Sequence, residues 1–317
     1  MPERSKRIYF YDDEKLKNIN KDNLELLRKY KVDMTLRELS QTTIKAYEND
    51  IKEWFIYILD NQFNQDIIKL TEDDITEFLY YCKTKGNNVA RMTRRMSSIS
   101  AFYRFLRKKR LIIESPTEFL DRPKRGLPIT VQTFLTREQV DMLRVKLIEY
   151  GNLQLQTYVL FSLSTMARVT AVSRIKWEMI DFDNRIVHNV LEKENKLVEL
   201  YFSEEVKELL LKLKAERKKQ HINDYGWVFY TNKSTIEKPI SKSTLNEWAH
   251  IAGSLIGIDT IHPHDFRHSG ATLLKNAGMP LEYVSALLSH SSTETTKKYY
   301  LKDDTRLISQ LKDQYSF

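Results

Sequence analysis

Residues 114–133 contain Pro116, Pro123 and Pro128, with Gly126 among mostly polar neighbours. Proline lacks a backbone N–H and its ring clashes with the preceding turn, so no helix runs through this stretch. Helical apolar spacing is strong on both sides of it. A chain of 317 residues is long enough for two bodies, and here it divides. The expected parts are an N-terminal extension over residues 1–29, an all-helical unit over 30–120, a basic linker over 121–133, and a mixed unit over 134–317.

The helical unit is read from its caps and its apolar faces. Ser40 can cap a helix that places Ile44, Tyr47, Ile51, Trp54 and Phe55 on one side. Thr71, followed by Glu72, Asp73 and Asp74, reads as the start of a second helix; it carries Ile75, Phe78, Leu79 and Cys82 and stops at Gly86. Residues 89–111 bury Met92, Met96, Ile99, Phe102, Tyr103 and Leu106. The same stretch carries eight positive charges and no acid between Arg91 and Arg110. A solvated helix face usually mixes signs, because one-sign charge repels itself. Arg91, Arg94, Arg95 and Arg104 therefore suggest a polyanionic counter-surface, with a plain solvated face as the alternative. Lys124 and Arg125 in the linker could extend that surface. A net charge of +8 is compatible with a polyanion but does not require one. Residues 20–30 form a short helical run with Leu24, Leu26 and Leu27.

Cys82 is the sole cysteine, which rules out an intrachain disulfide and a cysteine-based zinc site. No run approaches the ~20 apolar residues of a membrane span, and the first residues lack a signal-peptide core. The expected setting is cytoplasmic, without a membrane.

The second unit reads as helices around a small antiparallel sheet. Thr136 caps a helix, 153–164 is a mainly apolar helix, and 166–177 is a further helix. Residues 185–190 and 196–202 form a hairpin joined by 192–195, and 226–230 supplies a third strand. Helices follow at 203–217 and at 243–256, with a tail helix at 303–311. The fold class is mainly α with a small antiparallel sheet.

Chemistry concentrates after Pro263. His264, Arg267 and His268 stand at i, i+3 and i+4, on one helical face. Three readings stay open here. One is a phosphate pocket clamped by Arg267, another is a metal site on His264 and His268, and the third is a face of satisfied histidines. Arg267 between the two histidines and the lack of a placed third ligand weigh against metal. An apolar run over 281–288 follows, then Ser289, His290 and, nine residues on, Tyr299 with Tyr300 beside it.

His264-x-x-Arg267-His268, Leu288-x-His290 and Thr295-Thr296-x-x-Tyr299 together resemble the C-terminal signature of the tyrosine recombinases, the phage-integrase and Xer type. The resemblance extends over nearly the whole chain and implies a two-domain architecture, a helical core-binding domain and a catalytic domain. It implies that Arg168, in Thr165-Met166-Ala167-Arg168, is the family's first arginine. It also implies that Lys193 on the hairpin is the general acid, with Lys196 as runner-up, that Tyr299 is the nucleophile and that Tyr300 packs beside it. His264, Arg267 and His290 complete the implied catalytic set. The expected partner is double-stranded DNA with inverted-repeat core sites, bound by a homotetramer, with no cofactor and no metal. The sequence departs from the pattern in three places. Met166 and Ala167 stand before the arginine where a glycine is usual, Ala171 replaces an acid, and Ser289 replaces the glycine of a Leu-Gly-His triplet. These departures favour an integrase of a mobile element or phage over a chromosome or plasmid dimer resolvase. A non-catalytic DNA-binding protein of the same fold is the alternative of a different class.

Overall fold

The computed structural model describes residues 12–122, 134–192 and 196–288. The chain forms two compact units that divide between Val131 and Gln132.

Among the described residues the first unit holds five α-helices: α1 (Asp13–Leu16), α2 (Lys21–Leu36), α3 (Gln41–Asn61), α4 (Glu72–Thr84) and α5 (Val89–Lys108). Short polar side chains start them. The Ser40 hydroxyl accepts the N–H of Thr43 at 3.1 Å, and the Asn88 amide oxygen accepts that of Arg91 at 2.9 Å. Thr71 and Asp74 cap each other reciprocally, so two orphan donors of the first turn of α4 are satisfied. The apolar faces converge as their spacing requires: Ile51, Trp54, Phe55, Phe78, Ile99, Phe102 and Leu106 share one core. Cys82 lies in that core, and loss of hydration pushes its thiol pKa up to about 11.

Two expectations need correction in this unit. The boundary at residue 30 cuts through α2, whose Leu27, Tyr30 and Met34 are buried. Tyr30 packs on Phe102 and Phe105, each ring centroid 5.1 Å away, so residues 19–29 belong to the helical unit rather than to an extension. The second correction concerns α5. Arg95 is 0% exposed and pairs with the buried Glu53 of α3; it is a core residue and not a DNA contact. Arg94 is 41% exposed and forms a two-pronged pair with Asp50, at 3.0 and 2.7 Å. Asp50 also accepts the Ser98 hydroxyl at 2.9 Å. The acids missing from α5 are thus supplied by α3, more than 40 residues earlier in the chain. Arg104 remains exposed. Lys124 and Arg125 lie outside the described residues.

The second unit contains α6 (Arg137–Tyr150), α7 (Leu153–Thr165), α8 (Val169–Val172), α9 (Glu204–Lys219), α10 (Lys242–Ser254), α11 (Pro263–Asn276) and α12 (Leu281–Leu287). Helix α7 is its centre, buried at Leu155, Tyr158, Val159, Leu160 and Phe161 and packed by α6, α9, α10 and α11. The sheet is β1 (Ile180–Asp181), β2 (Ile186–Leu191) and β3 (Leu197–Tyr201), antiparallel in that order. Val187 faces Leu200 and Leu191 faces Leu197, with a bulge between Val187 and Val190.

The expected strand at 226–230 is absent; Trp227 makes a single bridge to Lys176. The reason is Arg217, whose guanidinium takes the carbonyls of Trp227 and Val228 at 3.0 and 2.8 Å, acceptors that a ladder would need. The expected helix over 166–177 shrinks to the single turn of α8, because Met166 caps α7 in the left-handed conformation, φ 53°.

Helix α11 lies unusually close to α7. A Cβ on Gly270 would come within 2.2 Å of the Leu163 carbonyl oxygen, so only glycine allows this approach.

Because breaking a buried ion pair strands a charge, Arg95→Ala should cost about 3 kcal/mol or more of stability in chemical denaturation. Arg104→Ala, at an exposed position, should stay within about 0.5 kcal/mol of wild type. Equal midpoints for the two variants would contradict the assignment of Arg95 to the core.

Candidate active site

Three separate chain segments meet at the N-terminal end of α11. Pro263 occupies the first turn of that helix, where its missing N–H costs nothing. The carboxylate of Asp265 accepts the N–H of His262 at 2.7 Å, which fixes the entry of the chain into the helix. That leaves Asp265 buried and engaged as a cap. One turn on, Arg267 points into the interior.

Arg267 is 6% exposed. Its guanidinium donates to the Met166 carbonyl at 2.6 Å and to the Leu288 carbonyl at 2.5 Å. It therefore joins the end of α7, the body of α11 and the end of α12. Beneath it Met166, Ala271, Val284 and Leu288 form a small apolar cluster. Arg168 sits at the start of α8, two residues past the left-handed turn, and is 31% exposed. It pairs with Glu192, which directly follows β2 and is 3% exposed. The other oxygen of Glu192 lies 4.0 Å from Arg267. Two permanently charged, planar forks are thus brought to one place, with a buried acid between them.

His264 lies on the same helix face and is exposed to solvent. Its pKa is pushed below the usual histidine range. Loss of hydration is the largest cause, and the charges of Arg267 and Arg168 add to it. His268 is also lowered, again chiefly by loss of hydration. Among the described residues no group of three or more His, Cys, Asp or Glu side chains is arranged to hold a metal ion.

Of the expected set, Arg168, Arg267 and His264 come together. Lys193, His290, Tyr299 and Tyr300 lie outside the described residues. Lys196 is exposed at the foot of β3. Glu192 is a further residue of this site: in the sequence it is one acid of a Glu-Lys-Glu run, a pattern that reads as solvated surface.

The chain belongs to the phage integrase family. The family's catalytic model, Phage integrase family, matches residues 133–306, and its N-terminal SAM-like domain matches residues 29–110. The protein is accordingly a tyrosine site-specific recombinase, an enzyme. Tyrosine recombinase XerC of Pediococcus pentosaceus is 28% identical over 287 residues, 87% of this chain and 93% of that protein. Tyrosine recombinase XerD of Oceanobacillus iheyensis is 26% identical over 292 residues, 88% of this chain and 92% of its own. Two solved structures share the fold, each with a TM-score of 0.71 and 17% identity. The Tn1549 transposon integrase in complex with transposon right end DNA matches 90% of this chain and 98% of its own. XerH bound to a palindromic difH substrate, a post-cleavage complex, matches 87% and 81%.

With its pKa lowered, His264 should stay neutral as pH falls through 6.5, the ordinary histidine value. An NMR titration of the full chain should place its midpoint below that value, and Arg267→Gln should move it back up. A midpoint at or above 6.5 in the wild type would contradict this electrostatic account of the site.

Proposed function

We propose that this recombinase cuts one DNA strand at a time by attack of the Tyr299 phenol on phosphorus. The P–O5′ bond breaks, Lys193 delivers a proton to the departing 5′ oxygen, and a 3′-phosphotyrosyl link forms. The observation that carries this reading is the convergence of Arg168 and Arg267 beside His264. Phosphorus under in-line attack gathers negative charge on its non-bridging oxygens, and fixed positive charge must meet it. Two guanidiniums do so without a metal, and His264 and His290 add hydrogen bonds. A phenol has a free pKa of about 10; a neutral His264 is able to take its proton. The phosphoester bond energy is kept in the link, so no ATP is needed. A 5′-hydroxyl from a partner duplex reverses the step and rejoins the strands.

Two rounds of exchange pass through a four-way junction and need four protomers on two inverted-repeat sites. The task we favour is integration and excision of a mobile element or phage, in the cytoplasm. The second reading is resolution of chromosome or plasmid dimers, and the XerC and XerD names of the relatives speak for it. DNA next to the coding gene separates the two, since an integrase lies beside its own attachment site.

A duplex nicked near the cleavage point traps the covalent state. Wild type should give a protein–DNA adduct that Tyr299→Phe abolishes; an adduct that survives moves the nucleophile to Tyr300 or elsewhere. Arg104→Ala should lower the slope of log affinity against log salt by about 0.9, the loss of one phosphate contact. An unchanged slope takes Arg104 off the DNA.

A further inference from the structure

Converging guanidiniums repel each other, so holding Arg168 and Arg267 at one point needs compensation. Arg267 is fixed by the carbonyls of Met166 and Leu288. Arg168 is fixed differently, by the carboxylate of Glu192. That carboxylate lies between the two cations: one oxygen accepts from Arg168 and the other is 4.0 Å from Arg267. Its backbone N–H donates to the Lys196 carbonyl at 2.9 Å, which ties the residue just after β2 to the residue just before β3. Ala171, where the family pattern has an acid, is buried and brings no polar group of its own.

Burial decides between two roles for this acid. A carboxylate that competes with the phosphate would sit at the open mouth of the site. The Glu192 side chain is 3% exposed while that of its partner Arg168 is 31% exposed. The acid is therefore on the inner side, and the guanidinium, with five N–H groups in a planar fork, keeps an edge toward solvent.

We propose that Glu192 is a positioning residue for the cleavage reaction: from the end of β2 it holds Arg168 so that its free edge meets the scissile phosphate. This rests on the reading of Arg168 and Arg267 as the phosphate-holding pair. Glu192 itself does not touch the DNA. Its contribution is the orientation of one cation and the offset of repulsion between two. In the sequence Glu192 directly precedes Lys193, the proposed general acid.

The test uses the full chain and a duplex recovered by selection from a random pool, with the cleaved phosphate located by wild-type cutting. Single-turnover cleavage and DNA affinity are measured for wild type, Glu192→Gln, Glu192→Asp and Arg168→Ala. Each is run on the natural duplex and on one with a methylphosphonate at the cleaved position. Glu192→Gln should slow cleavage by about 10–100-fold, the size of loss seen when a partner that orients a metal ligand is removed, with Kd changed less than about twofold. Glu192→Asp should recover part of the rate. On the methylphosphonate, where one charged oxygen is gone, the deficit should shrink, because less is asked of Arg168. A Glu192→Gln rate at or above wild type overturns the proposal, and so does a deficit equal on both substrates, which marks a purely structural role. Should Arg168→Ala cleave like wild type, the site reading falls and this proposal with it. Should Arg168→Ala fail while Glu192→Gln cleaves normally, the proposal alone falls.

Discussion

The catalytic unit depends on one buried guanidinium. Arg267 spends two of its N–H groups on the Met166 and Leu288 carbonyls, partners 101 and 21 residues away in the chain. Both carbonyls end helices, where the last turn leaves acceptors without intrahelical donors. Charged hydrogen bonds of this kind contribute roughly 1.5–3 kcal/mol each, and leaving such acceptors buried and empty costs a similar amount. Lysine could not replace the arginine, since a compact ammonium cannot span two carbonyls in a fixed plane. The group read as holding phosphate is therefore also the strut that sets the spacing of α7, α11 and α12. Site and fold share a residue, so the site is stiff where it needs to be.

The same junction explains the missing glycine. Residue 166 adopts a left-handed conformation, which costs a side-chain-bearing residue roughly 1–2 kcal/mol. Met166 recovers this by burying its side chain against Ala271, Val284 and Leu288; full burial of a methionine is favourable by about 1.5–3 kcal/mol. Room for it comes from Gly270, where a Cβ would stand 2.8 Å from the Met166 side chain. Bulk on one helix faces a gap on the other. The departure from the family pattern at 166 is thus matched within the structure, and carries no sign of a damaged site.

Local signals were legible in the sequence and distant ones were not. Ser40, Thr71 and Thr136 cap helices because a capping side chain acts on N–H groups two or three residues away, a range that a reader of sequence can see. The apolar faces of α3, α4 and α5 followed from spacing for the same reason. Arg95 deceived because its acid, Glu53, is 42 positions earlier, on another helix. Residues 226–230 looked like a strand because their composition suits one. Arg217, on α9, takes the carbonyls that would have made the ladder. That Arg267 and His264 share one face of α11 was legible from their spacing, whereas the carbonyl partners of Arg267 were not. Glu192 gave no signal at all, since nothing near it in sequence shows that two cations will fold onto it.

Cys82 leads to a practical end. It is the chain's only thiol, it sits in the dry core of the helical unit, and burial holds its pKa near 11. At neutral pH about one part in ten thousand is thiolate, the form that reacts with maleimides and other electrophiles. Burial and the raised pKa both slow the reaction of Cys82 with such reagents while the chain is folded. A single cysteine placed on its surface can carry a fluorophore or a spin label at one defined point, with no need to strip the native residue first. The movements of either unit on DNA can be followed in the protein as it stands.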